Sequence, residues 1–184
     1  MRVALIGFAL GVFLATSPAR GDELVSNGGF ETGDFTGWTV TGTGNHGTST
    51  NTPHSGAYCA WFGAGWTYIS ETIPTIPGQE YFASFWISNN AGSSPQNGGQ
   101  VWWNGVQLVS GQNEPSMPWT EVSTTLTATG NLTELEFAFT NGDGWWALDD
   151  VNIETAPEPQ AAFFCAAGLA LIGALRRRSR TPAR

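Results

Sequence analysis

Tyr81-Phe82-Ala83-Ser84-Phe85-Trp86-Ile87 carries the clearest periodicity in the chain. Tyr81, Ala83, Phe85 and Ile87 share one side of an extended strand, and Phe82, Ser84 and Trp86 share the other, because successive side chains of a strand point to opposite faces. The same period recurs further along. Leu135, Phe137 and Phe139 alternate with Glu134, Glu136 and Ala138. Val122, Leu126 and Ala128 alternate with Glu121, Ser123, Thr125 and Thr127, and Ala147, Asp149, Val151 and Ile153 with Leu148, Asp150 and Asn152. Further strands are expected near Leu24–Phe30, Gly37–Thr41, Ala57–Phe62, Thr67–Ile73 and Gly99–Leu108. Turn chemistry separates them: Ile76-Pro77-Gly78-Gln79, Thr129-Gly130-Asn131, Asn141-Gly142-Asp143-Gly144, and above all Asn104-Gly105, a strong hairpin signal. Thr41 to Pro53 and Asn89 to Gly99 read as longer polar loops. Nine or ten short strands at this spacing predict an all-β sandwich or jelly roll, in one domain over residues 22–155.

Charge narrows the partners. The chain has 184 residues and seven basic side chains, all Arg, none of them between Asp22 and Thr155. That stretch holds 14 of the 15 acidic residues. Such a surface repels phosphate and anionic headgroups, so nucleic acid is excluded as a partner.

The two ends read as addresses. Arg2, the apolar run Val3 to Ala15 and the small residues of Ser17-Pro18-Ala19 form a secretory signal peptide over residues 1–21, with cleavage expected after Ala19 or, alternatively, Gly21. A membrane anchor is the competing reading, against which the run is short. Residues 156–184 contain Pro157-Glu158-Pro159, a second apolar run from Ala161 to Leu175, and Arg176-Arg177-Arg178-Ser179-Arg180. Fifteen helical residues reach only about 22 Å, short of a hydrocarbon core of roughly 30 Å. The Arg cluster should stay cytoplasmic, which leaves the body outside the inner membrane. A plain tail anchor with mismatch is the alternative.

This tail resembles the PEP-CTERM sorting signal. The resemblance implies an exosortase-type sorting enzyme as partner, transient inner-membrane anchoring through the tail, and display at the cell surface or in the extracellular matrix of a Gram-negative bacterium. The body carries a second resemblance. Leu24-Val25-Ser26-Asn27-Gly28-Gly29-Phe30-Glu31 with Gly37-Trp38, then Pro53-His54-Ser55-Gly56-Ala57-Tyr58, and finally Ala147-Leu148-Asp149-Asp150-Val151-Asn152-Ile153 are similar to strands of carbohydrate-binding modules with the galactose-binding-like jelly roll. Ser84-Phe85-Trp86 and Val101-Trp102-Trp103-Asn104-Gly105 look like the secreted domain that commonly precedes PEP-CTERM tails. The likeness is specific for fold and weak for ligand.

Three kinds of site follow. The related modules commonly place a structural Ca²⁺ where the first and last strands meet. Carried over by motif, Glu31 and Asp149 are its carboxylates, with Asp150 as substitute and carbonyls near Asn27 and Gly56 completing the shell. Asp149 alternates with Val151 and Ile153 and so is expected to face an apolar layer, where a carboxylate without a Lys or Arg partner needs either a cation or dense hydrogen bonding. The second site is an aromatic platform for glycan rings. Trp66, Trp102 and Trp145 are its candidates, while Trp38, Trp86 and Trp103 are expected in the core; the resemblance puts Trp103 at the core position and frees Trp102. The third, an active site, finds little support: His46 and His54 lie in polar surroundings, and no zinc spacing or nucleophile elbow is present. Cys59 lacks a partner once the tail with Cys165 is removed, and reads as a small apolar filler.

These readings converge on a non-catalytic, glycan-associated binding module acting on extracellular polysaccharide. The alternatives are a structural surface protein without a specific ligand and a small polysaccharide hydrolase.

Overall fold

The computed structural model describes residues 23–90 and 96–156. The stretches read as a signal peptide and, from Pro157 on, as a sorting tail lie outside the described residues. Among the described residues there are ten strands and no helix: β1 (Thr39–Gly42), β2 (His46–Ser49), β3 (Cys59–Phe62), β4 (Thr67–Pro74), β5 (Glu80–Asn90), β6 (Asn97–Trp103), β7 (Val106–Gln112), β8 (Met117–Thr127), β9 (Leu132–Asn141) and β10 (Trp145–Thr155). They form two five-stranded antiparallel sheets, ordered β1-β4-β9-β6-β7 and β2-β3-β10-β5-β8. The chain is thus an all-β jelly-roll sandwich.

The alternating residues fill the space between the sheets. Tyr81, Ala83 and Phe85 of β5 and Leu135, Phe137 and Phe139 of β9 are all buried. Phe137 sits at the centre, edge-on to Phe85 at 5.0 Å and tilted against Trp38 at 6.1 Å. Phe139 stacks on Phe62 at 4.9 Å and meets Trp146 at 5.6 Å. Trp38 and Trp103 lie in this core as the sequence predicts. The β6–β7 hairpin also follows the sequence: Asn104 and Gly105 take φ of 49° and 76°, the left-handed pair that a two-residue hairpin needs.

Three elements differ from expectation. Residues 24–30 form turns rather than a strand, because Asn27 and Phe30 adopt φ of 51° and 58°. The segment still docks on β10, with Leu24 N donating to Ile153 O and Val151 N to Gly28 O. A Cβ at Gly28 would lie 2.0 Å from Val151 O, so this close backbone approach requires glycine. Strand β2 falls inside the stretch read as a polar loop; it has no apolar alternation and is held by pairing to β3. The third difference lies in β10. Asp149 pairs with Trp86 and Asn152 with Ser84, with a bulge between them at which Asp150 has φ of 48°. One extra residue shifts the alternation. Trp146, Leu148, Val151 and Ile153 therefore face the core, and Ala147 and Asp149 share the opposite, outer face.

Candidate functional site

The outer face of the β1-β4-β9-β6-β7 sheet carries an aromatic row. Tyr68 of β4 lies between Trp66, 6.3 Å away between ring centroids, and Trp102 of β6, at 6.5 Å. All three rings are half-buried. The floor beneath them is small. Ala138 of β9 pairs with Tyr68 on one side and Gln100 on the other, and it is fully buried although it faces outward. The Trp66 ring reaches over Gly98, where a Cβ would stand 2.8 Å from it. Glu136, beside Trp102 in register, adds a carboxylate whose acidity is weakened first by burial and then by the charge of Glu134. At its Trp66 end the row opens into a polar hollow of about 730 Å³ lined by Gln96, Gln112, Asn113 and Asp143 among others. Flat apolar rings beside hydroxyl, amide and carboxylate groups suit a ligand with apolar faces and a polar rim.

Trp66 and Trp102 are thus brought into one surface, joined by Tyr68, which the sequence reading did not single out although Tyr68 alternates with Ile69. Trp145 is not part of it. It lies on the other sheet, at the start of β10. Trp86 departs from expectation too: it is half-exposed on the outer face of β5, with His54 stacked on it at 3.7 Å. The alternation that buries Phe85 and Ala83 turns Trp86 outward, and the loop before β3 covers it.

Glu31, Asp149 and Asp150 do meet at one corner, and the glycine-containing motifs explain how. Asp149 is fully buried, beneath the 54–56 loop rather than in the core. Its Oδ2 accepts from His54 N at 2.8 Å and Ser55 N at 3.2 Å, and its Oδ1 from Asp150 N at 2.8 Å. Burial raises its pKa to about 6 in spite of those donors, and the neighbouring Asp150 charge adds to the rise. Asp150 contacts His54 Nδ1 at 2.6 Å and accepts from Ser55 Oγ at 2.7 Å. Glu31 accepts from Ala57 N and Tyr58 N. Gly56, at φ 57°, clears the space the Glu31 carboxylate occupies. A Cβ at Gly29 would stand 3.6–3.8 Å from the Glu31 side chain, Asp149 Oδ1 and Asp150 Oδ1. The Asn27 carbonyl expected alongside them is engaged as well, accepting from Phe30 N and Trp38 Nε1. Among the described residues no group of three or more His, Cys, Asp or Glu side chains is arranged to hold a metal ion.

Ser55, Asp150 and His54 are the residue types of a hydrolytic triad, but in the wrong order. The carboxylate lies between the other two, so no imidazole faces the hydroxyl. His46 Nδ1 contacts Gly44 O, and its ring meets the edge of Phe35. Cys59 is buried, and that burial, with the charge of Asp149, pushes its thiol up to about 11, which leaves it unreactive.

A jelly roll with an aromatic row across one sheet face is the architecture of a carbohydrate-binding module. The chain belongs to the CBM_4_9 family of carbohydrate binding domains, whose model matches residues 22–148. That class of domain is typically non-catalytic. Solved structures share the fold. TmCBM61, solved in complex with β-1,4-galactotriose, superposes with a TM-score of 0.60 at 17% identity, covering 73% of this chain and 99% of its own. The CBM22-1 xylan-binding domain of Paenibacillus barcinonensis Xyn10C gives 0.53 at 19% identity, covering 76% and 97%. The K3 cleaved adhesin domain of Lys-gingipain from Porphyromonas gingivalis gives 0.55 at 15% identity, covering 75% and 99%. No curated protein matches the chain.

Asp149→Ala leaves three backbone N–H groups without their acceptor. Urea unfolding at neutral pH should show a loss of about 3 kcal/mol, against about 1 kcal/mol for Glu31→Ala at its exposed position.

Proposed function

We propose that the protein is an exported, non-catalytic module that binds a neutral polysaccharide chain along Trp102, Tyr68 and Trp66. The observation that carries this reading is the half-buried aromatic row over a floor of Ala138 and Gly98. Rings standing over small residues expose faces on which sugar C–H surfaces stack, while Gln100, Glu136 and the polar hollow supply partners for hydroxyls. The absence of Lys and Arg from 22–155 favours a neutral ligand over an anionic one. The galactotriose and xylan ligands of TmCBM61 and the CBM22-1 domain support this class. In affinity electrophoresis through gels cast with neutral polysaccharides, the protein should be retarded by at least one. Trp102→Ala should weaken that retardation with its melting temperature unchanged. Free migration in every gel favours the structural surface role.

The export reading rests on the ends of the sequence: the signal peptide of residues 1–21, then Pro157-Glu158-Pro159, the apolar run 161–175 and Arg176-Arg177-Arg178. A sorting enzyme of the exosortase type would remove the tail and release the body to the cell surface or matrix of a Gram-negative host. Replacing Arg176, Arg177 and Arg178 with Ala should leave an uncleaved form in the inner-membrane fraction of a host carrying that enzyme; normal processing of the variant would refute the assignment.

A structural Ca²⁺ at Glu31, Asp149 and Asp150 is the second reading of the corner, favoured by the convergence of the three side chains around Gly29. Against it stands the engagement of all three carboxylates by N–H or O–H donors. An ion would hold the first turn segment to β10 and would have no part in sugar chemistry. A melt that rises in calcium and falls in EDTA supports the ion. Equal melts support the hydrogen-bonded corner.

A further inference from the structure

Besides Trp86 under His54, the outer face of the β2-β3-β10-β5-β8 sheet holds three tryptophans that the proposed platform does not use: Trp61 on β3, Trp119 on β8 and Trp145 on β10. All three are half-buried. They border two adjoining clefts. One, of about 530 Å³, runs between Trp119 and Trp145; the other, of about 360 Å³, runs between Trp145 and Trp61. Trp145 and Thr52 line both, so the two clefts adjoin across a shared wall within one broad depression. Its floor is small. Ala147 pairs with Trp61 on one side and with Ser88 on the other, and both Ala147 and Ser88 are buried.

We propose that this depression is a second glycan site for a neutral oligosaccharide, on the sheet opposite the Trp66–Tyr68–Trp102 platform, so that one protein molecule engages two polysaccharide chains. The chemistry of the lining selects the ligand. Apart from the aromatic rings it presents hydroxyl and amide groups beside apolar Met117, Pro118, Cys59 and Ala147, and among the described residues no Asp, Glu, Lys, Arg or His lines either cleft. An uncharged lining gives no counterion to an anionic or cationic partner. The body around it, with 14 acidic residues and no basic ones, repels anions further. Apolar rings with uncharged hydrogen-bonding groups match the alternating C–H faces and hydroxyl edges of a neutral sugar chain.

The depression is also held in shape. Trp119 Nε1 donates to Thr52 O at 3.2 Å, which fixes the ring against the loop that walls the cleft. Cys59 Sγ reaches Ser49 O and Thr52 O from beneath. His54, two residues on, is locked by Asp149, Asp150 and the face of Trp86. The Trp61 ring lies over β2 because residue 47 is glycine; a Cβ there would stand 2.8 Å from Trp61 Nε1. A wall that needs no ordering on binding keeps more of the stacking energy as affinity. Two sites on opposite faces let one molecule cross-link two chains, and where those chains are already joined in a matrix the second contact forms at a raised effective concentration.

The experiment labels the full chain with 5-fluorotryptophan, assigns each signal by single Trp→Phe substitution, and titrates with xylohexaose, cellohexaose and β-1,4-galactotriose. Fluorine signals of Trp119 and Trp145 should shift with one of these sugars, and they should still shift in the Trp66→Ala/Trp102→Ala variant. Adding Trp145→Ala to that variant should weaken its residual binding by at least ~10-fold. Movement of Trp66 and Trp102 alone would overturn the second site and leave the first standing. Movement of Trp119 and Trp145 alone would do the reverse. Still signals throughout would overturn both. Shifts of Trp119 and Trp145 that track protein concentration without sugar would assign the depression to a second copy of the chain and overturn the glycan site.

Discussion

The body of this protein has fourteen carboxylates and no lysine or arginine, and that imbalance shapes how its loops are held. Buried or crowded carboxylates must find donors, and here the donors are backbone N–H groups. Asp149 collects three of them from the 54–55 loop and its own strand. Glu31 takes those of Ala57 and Tyr58, and Glu71 that of Ser26. Asp34, drawn below the ordinary range by Thr32 and Thr36, closes its own turn. In each case an acid side chain pins a loop that has no regular secondary structure, so excess negative charge becomes a set of anchors. The walls of the second depression stand on one of these anchors, since the loop that carries Thr52 continues directly into His54 and Ser55.

The division of labour between the two sheets follows from the same geometry. Inner faces are filled by Phe, Ile and Leu at period two and by Trp38, Trp103 and Trp146. Outer faces hold the rest: Trp86 lies under His54, and Trp66 and Trp61 stand beside the small residues Gly98 and Ala147. A tryptophan over a large neighbour would be a filler, whereas one over Ala138 or Ala147 leaves an edge and a face for a ligand. The contrast between neighbours Trp102 and Trp103, one half-buried and one in the core, comes from strand alternation alone.

Much of this was legible in the sequence. Tyr81 to Ile87 and Leu135 to Phe139 announce their strands and their inner faces, and Asn104-Gly105 announces its hairpin, because those signals are local. The bulge at Asp150 was not legible. A left-handed aspartate in mid-strand leaves the alternation of Leu148, Val151 and Ile153 looking like an ordinary strand with one misplaced residue, and it reverses the face on which Asp149 sits. Trp86 was read as core for a related reason: its face follows from alternation, but its cover, His54, is thirty-two positions earlier in the chain. Strand β2 had no apolar pattern to read, since Gly47, Thr48 and Ser49 are ordered by their partner strand. The aromatic row was half visible. Trp66 stands out by its glycine-flanked loop and Trp102 by its alternation with Trp103 and the family resemblance, whereas Tyr68 joins them only through the pairing of β4 and β6 with β9.

Anchors made from carboxylates and amides respond to the medium differently from ion pairs. Dissolved electrolyte screens the attraction between opposite charges on a surface, and it screens repulsion between like charges just as well. In this body the like charges are many, and His54 meets Asp150 at 2.6 Å. Short hydrogen bonds under a covering loop, such as those to Asp149, are shielded from dissolved ions by burial. Rising ionic strength therefore relaxes the mutual repulsion of the acidic surface while leaving the anchored loops in place.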